Sequence, residues 1–261
     1  MPRFAANLTM LFTEYPVIER FERAAAAGFK AVEFLFPYNE DIDGIRAALD
    51  RTGIEQILFN LPVGDFSAGD RGMANNPAKN AEFLDGVNLA AEIAVKLGVP
   101  KINCLVGKIL PDLSHDVQWG NLKENLVRAA DIMQSAGVLQ IFEPLNPFDA
   151  PGYFLPTNSL GFALVEEINH PNLLLEYDIY HAQRTEGNLA ATIRREIAKI
   201  GHVQIADSPA RNEPGTGEIN YPFVFQALDE AGYAGWVGLE YRASNGTEAS
   251  LNWLREWGYW V

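Results

Sequence analysis

One pattern recurs along this chain: a helical segment ends at a glycine, and a short apolar run follows within a few residues. Examples are AAAAGFKAVEFLF, VKLGVPKINCLVG and QSAGVLQIFEPL. The glycines at these junctions are Gly28, Gly53, Gly98, Gly137, Gly201 and Gly232. A glycine just past a helix end adopts the left-handed conformation at low cost, which lets the chain turn into the next element. A seventh junction uses Asn169 and Pro171 as its stop signal instead.

These junctions, together with the initial run FAANLTM, predict eight strands separated by amphipathic helices. The predicted strands cover residues 4–10, 31–36, 54–62, 101–107, 138–145, 172–180, 202–207 and 235–241. Apolar strands that alternate with helices indicate a parallel sheet covered by helices. Eight such units in 261 residues favour one α/β domain over residues 1–261, a closed (β/α)₈ TIM barrel. An open doubly wound sheet is the alternative, but it would carry a glycine-rich nucleotide turn after an early strand, and NLTMLFTEYP has none.

Four oxygen-bearing side chains interrupt the apolar runs late in four consecutive predicted strands. Glu143 lies in LQIFEPL, Asp178 in LLLEYDIYH, Gln204 in HVQIAD and Glu240 in WVGLEYR. The carboxyl ends of barrel strands meet at one mouth, so these side chains should converge there. Packed carboxylates repel one another and resist desolvation, and a divalent cation removes that cost. Oxygen ligands suit Mg²⁺ or Mn²⁺, so the pattern predicts a metal site; the alternative is that each acid pairs with a cation or caps a loop.

Further candidates lie beside these positions. His181, in YDIYH, could ligate the metal, bind substrate or close the strand end. Lys108 follows the fourth predicted strand and Arg211 the seventh, which places two cations on the catalytic face or, alternatively, two solvated side chains on the surface. We interpret His181, Lys108 and Arg211 as substrate-binding residues. Glu176 shares the strand parity of the sixth-strand acid, so we expect it inside the barrel, whereas His202 is expected to be structural.

Composition excludes several classes of partner. Lys plus Arg total 20 against 34 Asp plus Glu, and a net charge of −14 argues against nucleic-acid binding. No apolar run approaches the ~18 residues of a membrane span, and the first residues lack the apolar core of a signal peptide. Cys104 is the single cysteine, so the chain holds no internal disulfide, which favours the cytoplasm; its apolar surroundings predict a buried thiol.

Three segments are expected to surround the barrel. The irregular stretches 62–77 and 145–157 follow strand ends, so they are candidate lids over the site. Aromatic residues close the chain, and they predict a helix packed on the barrel, with a contact in a homo-oligomer as a second possibility. These residues are Trp253, Trp257, Tyr259 and Trp260.

The chain resembles the hydroxypyruvate isomerase family, which includes related 2-oxo-tetronate isomerases and falls among the xylose-isomerase-like barrels. The segments that carry the resemblance are FAANLTMLF, VEFLFPYN, KINCLVGK, EPLNPFDAPGYFL, YDIYHAQRTEGNL, HVQIADSPARNEPGTGEINY and GWVGLEY, spread over nearly the whole chain. The resemblance implies a metal-dependent aldose–ketose isomerase. It maps the metal ligands onto Glu143, Asp178, Gln204 and Glu240, and the acid/base pair onto Glu143 and Glu240.

The implied reaction interconverts hydroxypyruvate and 2-hydroxy-3-oxopropanoate by proton transfer through an enediolate. Isomerisation of 2-oxo-tetronate or epimerisation of a ketose on the same site remains an alternative, as does a barrel that binds a metal or sugar acid without catalysis. Related ketose epimerases carry a histidine where this chain has Gln204, which leaves the metal preference open. The superfamily also contains a multi-zinc endonuclease with many histidine ligands, but four histidines and an acidic chain argue against DNA repair.

Overall fold

Eight parallel strands form a closed barrel in sequence order, with β1 hydrogen-bonded to both β2 and β8. The computed structural model describes residues 1–260. The strands are Arg3–Asn7 (β1), Ala31–Glu33 (β2), Glu55–Asn60 (β3), Lys101–Cys104 (β4), Leu139–Phe142 (β5), Leu173–Asp178 (β6), Ile200–Ile205 (β7) and Trp236–Leu239 (β8). The closed barrel is confirmed and the open sheet was wrong, because β1 and β8 pair and leave no sheet edge.

At least one α-helix follows every strand and covers the outside of the barrel. The helices are Val17–Ala26 (α1), Ile42–Thr52 (α2), Asn80–Leu97 (α3), His115–Ser135 (α4), Asn158–Ile168 (α5), Ile179–Thr185 (α6), Leu189–Glu196 (α7), Tyr221–Glu230 (α8), Thr247–Ser250 (α9) and Asn252–Glu256 (α10). Across residues 1–260, none of them combines the length and the apolar character that a membrane span requires.

The junction signals are confirmed at all predicted positions except one. Left-handed φ angles occur at Gly28 (108°), Gly53 (69°), Gly98 (74°), Gly137 (73°), Gly232 (79°) and Asn169 (48°). Gly201 instead lies inside β7, where a Cβ would come within 2.7 Å of Cγ2 of Ile141 and 3.0 Å of Cβ of Leu174. Its expected role as a helix stop was therefore wrong, and close packing of three strands is the reason for glycine there.

The closing aromatic residues pack on the barrel as predicted. The ring of Trp253 lies edge-on to Phe4 of β1 with centroids 5.3 Å apart, and Trp260 lies 4.8 Å from Phe29. Cys104 is fully buried, and burial raises the pKa of its thiol to about 12, which keeps it un-ionised at neutral pH.

Polar side chains fill much of the barrel interior. Asn7 of β1 and Gln204 of β7 both donate to Glu33 of β2, while Asn103 of β4 donates to Asn60 of β3 and to Glu143. These residues are all buried. Buried polar groups are costly unless they are paired, so a polar interior just below the mouth indicates a site rather than a packed core.

Candidate active site

Four buried side chains converge at the C-terminal mouth of the barrel. One ligand atom from each of Glu143, Asp178, His181 and Glu240 lies within 4.8 Å of the others. Asp178 is the last residue of β6, and the two glutamates come directly after β5 and β8, so these strands end slightly earlier than predicted. The convergence of the three acids that strand position predicted is therefore present.

One carboxylate oxygen of Asp178 caps a helix, and the other faces the cluster. Its Oδ1 accepts from the backbone N–H of Tyr180 at 2.7 Å and caps the first turn of α6. Its Oδ2 is buried without a hydrogen-bond partner, and Nε2 of His181 lies 3.6 Å from it. Because the cap fixes one oxygen, the other is held toward the centre of the cluster.

Glu143 likewise has one carboxylate oxygen in a hydrogen bond and one without a partner. Its Oε2 accepts from Nδ2 of Asn103 at 3.2 Å, and its backbone carbonyl accepts from the Tyr153 hydroxyl at 2.9 Å. Its Oε1 is buried, has no hydrogen-bond partner and lies 3.7 Å from Nε2 of His181. One oxygen of this glutamate is therefore also available to a ligand.

Arg211 places its guanidinium among the acids. Nη2 contacts Oε2 of Glu240 and lies 3.7 Å from Oδ2 of Asp178, while Nη1 lies 3.8 Å from Oδ2 of Asp149. Its backbone has a φ of 57°, and its N–H donates to the carbonyl of Asp207 at 2.9 Å, which turns the side chain inward from the loop after β7. Arg211 therefore supplies a positive charge inside the acidic cluster.

His181 faces the cluster with a hydrogen-bond donor. Its Nδ1 accepts from the backbone N–H of Asn146 at 3.1 Å and from Nδ2 of the same residue at 2.6 Å. The amide orientation of Asn146 agrees, because its Oδ1 accepts from the backbone N–H groups of Phe148 and Asp149, at 3.0 Å each. In a neutral imidazole whose Nδ1 accepts, the proton is on Nε2, so His181 presents an N–H to the site.

Burial shifts every titratable group in the cluster. Desolvation raises the pKa of Asp178 to about 6 and that of Glu240 to about 7, even though Arg211 opposes both shifts. Burial and the charges of Glu240 and Asp178 raise the pKa of Glu143 well above its usual range. Burial, with Arg211, lowers the pKa of His181 well below its usual value, which keeps the ring neutral.

Gln204 lies beside Asp178 in the register of β6 and β7. Its Nε2 donates to Oε2 of Glu33 at 2.8 Å, and its Oε1 is buried without a hydrogen-bond partner. Neighbouring residues in register point to the same face of a sheet, so this oxygen belongs to the same interior level as the Asp178 side chain.

The donor set fits a hard divalent cation. Oε1 of Glu143, Oδ2 of Asp178 and Oε1 of Gln204 are buried without a hydrogen-bond partner, as are Oδ1 of Asn103 and both carboxylate oxygens of Glu176. If all are ionised, the carboxylates of Glu143, Asp178 and Glu240 carry three negative charges, and the Arg211 guanidinium cancels one. Two negative charges then remain, and one divalent cation would balance them.

A cavity of about 400 Å³ opens above the cluster. His181, Arg211 and the two glutamates line it, together with both predicted lid segments; 62–77 contributes Phe66 and Arg71, and 145–157 contributes Leu145, Asp149 and Ala150. Lys108 lines a smaller neighbouring cavity of about 80 Å³ instead, which it shares with Arg71. The structure thus brings His181 and Arg211 into the site and leaves Lys108 behind the segment 62–77.

Several site residues were not singled out from the sequence. Arg71 and Arg242 line the cavity, and Asn146 fixes the ring of His181. The sequence around these three residues carries no pattern that predicts a role in the site. Glu33 is different, because it lies in the apolar run AVEFLF and carries the same signal that identified the acids of the cluster.

Known proteins of similar sequence identify the family. Residues 21–257 match the family described as xylose isomerase-like TIM barrel. Hydroxypyruvate isomerase of Escherichia coli (strain K12) is 47% identical over 254 residues, which cover 97% of this chain and 98% of that protein. The chain belongs to the hydroxypyruvate isomerase family. A second member, 2-oxo-tetronate isomerase of Cupriavidus necator, is 45% identical over 98% of both chains, and on the strength of these relatives the protein is an isomerase.

Solved structures agree with this family fold. A crystal structure described as AP endonuclease, family 2, from Brucella melitensis is 42% identical and superposes with a TM-score of 0.95 over 98% of this chain and 99% of that one. The apo form of 3-keto-D-glucoside 4-epimerase from E. coli has a TM-score of 0.81 at 22% identity, over 98% and 99% of the two chains. At that identity the second likeness shows the barrel alone.

Proposed function

We propose that this protein interconverts hydroxypyruvate and 2-hydroxy-3-oxopropanoate, with Mg²⁺ or Mn²⁺ held by Glu143, Asp178, Gln204 and Glu240. The observation that carries this proposal is the buried cluster of Glu143, Asp178, His181 and Glu240, in which one oxygen of Glu143 and one of Asp178 have no hydrogen-bond partner. Oε1 of Gln204 is buried without a partner as well. The printed name of the relative at 47% identity supports the choice of substrate.

The two glutamates perform the proton transfer in this proposal. A divalent cation in the cluster would supply a Lewis acid that draws negative charge onto the substrate oxygens. One glutamate takes a proton from one carbon, and the other delivers a proton to the neighbouring carbon, so the substrate passes through an enediolate. Burial raises the pKa of Glu240 to about 7 and that of Glu143 above its usual range when no cation is bound, and a bound cation would lower both pKa values.

His181 and Arg211 hold the substrate. The N–H on Nε2 of His181 donates to a substrate oxygen, and the guanidinium of Arg211, which contacts Glu240 through Nη2, places a positive charge beside the substrate carboxylate. Both side chains line the cavity. The role proposed for Lys108 stays a prediction, since Lys108 lines only the neighbouring cavity.

A four-carbon acid is the second candidate substrate. The cavity of about 400 Å³ is larger than a three-carbon acid fills, and Arg71 and Arg242 line it in addition to Arg211. The relative at 45% identity is named for 2-oxo-tetronate. The predicted cytoplasmic location, the possible homo-oligomer and the absence of a nucleic-acid partner stay predictions, the last supported by the net charge of −14.

A substrate panel on metal-stripped protein tests this proposal. The protein is treated with a chelator, dialysed and assayed with hydroxypyruvate, 2-oxo-tetronate and a ketose, each with and without added Mg²⁺ or Mn²⁺. We expect no turnover without cation, restored turnover with it, and the highest kcat/KM for hydroxypyruvate. A higher kcat/KM for 2-oxo-tetronate would select the second candidate. Full turnover in protein verified to be metal-free would contradict the metal-dependent reaction altogether.

A further inference from the structure

We propose that Glu33 is a positioning residue for the cation site: it turns the side-chain amide of Gln204 so that Oε1, and not Nε2, faces the cation. The inference rests on the proposed function, because it takes Gln204 as a metal ligand. Glu33 lies at the end of β2, across the barrel interior from β7, and is fully buried.

Three nitrogen donors converge on the Glu33 carboxylate. Nε2 of Gln204 donates to Oε2 at 2.8 Å, and Nδ2 of Asn7 donates to the same oxygen at 3.1 Å. Nε2 of His202 contacts Oε1. A carboxylate surrounded by donors is satisfied without help from any other group, so this arrangement is specific for an acceptor at position 33.

An acceptor at position 33 decides how the Gln204 amide is turned. A glutamine side chain carries an oxygen and an NH₂ group on the same carbon, and only the NH₂ group can bond to a carboxylate. With Nε2 committed to Glu33, Oε1 points elsewhere, and it is buried with no partner. The flipped amide would place an NH₂ group toward the cation, and amide nitrogen is not a ligand for Mg²⁺ or Mn²⁺.

Lys101 determines which ring nitrogen of His202 carries the proton that faces Glu33. Nζ of Lys101, the first residue of β4, lies 3.4 Å from Nδ1 of His202. An ammonium can only donate, so Nδ1 accepts and the proton of the neutral ring is on Nε2, toward Glu33. His202 thereby presents a donor to Glu33, which keeps Glu33 in its role as acceptor.

The absence of a side chain at Gly238 indicates independently that the Glu33 carboxylate occupies this space. It lies opposite Gln204 in the register of β7 and β8. A Cβ at position 238 would come within 2.1 Å of Oε1 and 2.6 Å of the carboxyl carbon of Glu33. Only glycine at this position leaves room for the Glu33 carboxylate.

Binding of Mn²⁺ to the full-length protein tests the inference without depending on turnover. Free Mn²⁺ is measured by electron paramagnetic resonance during titration of the wild type, E33Q and E176Q, after thermal unfolding has shown that each variant folds. We expect E33Q to raise the Kd for Mn²⁺ about 10-fold or more, the usual scale for loss of a residue that orients a metal ligand. Glu176 is the matched control, because it is equally buried near the cluster and neither of its carboxylate oxygens has a hydrogen-bond partner. E176Q should change the Kd by less than about threefold.

The exchanged pair E33Q/Q204E separates orientation from packing. A glutamate at position 204 presents an oxygen whichever way it turns, and a glutamine at position 33 can donate to it. We therefore expect the double variant to recover most of the Mn²⁺ affinity that E33Q loses. Because the added carboxylate also attracts the cation by its charge, the double variant is compared with Q204E as well: loosening of the barrel interior predicts weaker binding than Q204E, whereas orientation predicts binding at least as tight. A double variant that binds as weakly as E33Q overturns the inference.

Two further outcomes keep the result decisive. If E33Q does not fold, G238A replaces it, because its Cβ displaces the Glu33 carboxylate without removing it and should also weaken Mn²⁺ binding. Wild-type Mn²⁺ affinity in a folded E33Q or G238A protein contradicts the role of Glu33 alone. A wild type that binds Mn²⁺ but converts none of the hydroxy-oxo acids contradicts the proposed reaction instead.

Discussion

The backbone N–H of Asn146 donates to Nδ1 of His181 at 3.1 Å, and this bond leaves the ring proton on Nε2, the nitrogen that faces Glu143 and Asp178. A histidine that presents an N–H cannot ligate a metal through that nitrogen until the proton is lost. We therefore expect His181 to contact the substrate rather than a metal ion, although it lies within the cluster.

Replacement of His181 should separate turnover from metal binding. We expect H181A to lower kcat/KM by about 10²-fold, the scale for loss of a donor to a developing oxyanion, with the Kd for Mn²⁺ changed by less than about threefold. H181Q is the matched variant, because its side-chain NH₂ group can replace the donor in part, and it should lose less. A large loss of Mn²⁺ affinity in H181A would identify His181 as a ligand.

The two glutamates should each be indispensable for proton transfer. E143Q and E240Q keep the shape of the side chain but cannot accept a proton, so each should lower kcat by at least about 10²-fold at saturating Mn²⁺. E176Q, a buried acid outside the cluster, serves as the control. Near-normal kcat in either variant with the metal bound would mean that another group is the base. A double variant that loses about the product of the single losses would show that the two residues do not act as one unit.

Solvent hydrogen should enter the product. A proton that rests on a glutamate exchanges with water, whereas a hydride shift moves hydrogen directly between the carbons. We expect reaction in D₂O to place deuterium on the receiving carbon, detected by mass or by loss of the proton NMR signal. Product without carbon-bound deuterium indicates a hydride shift or a shielded base. Substrate deuterated at the donor carbon then shows whether the original hydrogen is retained.

Metal binding should release protons, and more of them at lower pH. Burial raises the pKa of Asp178 to about 6 and that of Glu240 to about 7 without metal, so at pH 6 a cation must displace protons from carboxyls that are ionised at pH 8. The Kd for Mn²⁺ should therefore fall as pH rises from 6 to 8, by up to about tenfold per pH unit for each proton released. Calorimetry at both pH values, in two buffers of different ionisation enthalpy, counts the protons. Equal Kd values and no proton release at pH 6 would contradict the raised pKa values.

Much of the fold followed from local sequence. Five of the six junction glycines adopt left-handed backbone angles, and the eight apolar runs form the eight strands, because burial and backbone conformation leave a periodic trace in the residues themselves. Acids inside those runs located Glu143, Asp178 and Glu240, since a carboxylate in a buried strand requires a reason. Gly201 was misassigned because the requirement it meets, contact with Ile141 and Leu174, lies on neighbouring strands.

The hydrogen bonds and ion pairs between these groups depend on the closed barrel, which brings distant residues together. Gln204 meets Glu33 across 171 positions of sequence, and Arg211 reaches Glu240 from the loop after a different strand. Which oxygen of a carboxylate is free, which way an amide turns and which ring nitrogen carries a proton depend on partners that strand register brings together. Periodicity reports the side of an element on which a residue lies, but not the atom that it meets there. Sequence alone therefore determined the barrel and its acids, and the tertiary structure determined the hydrogen bonds that orient them.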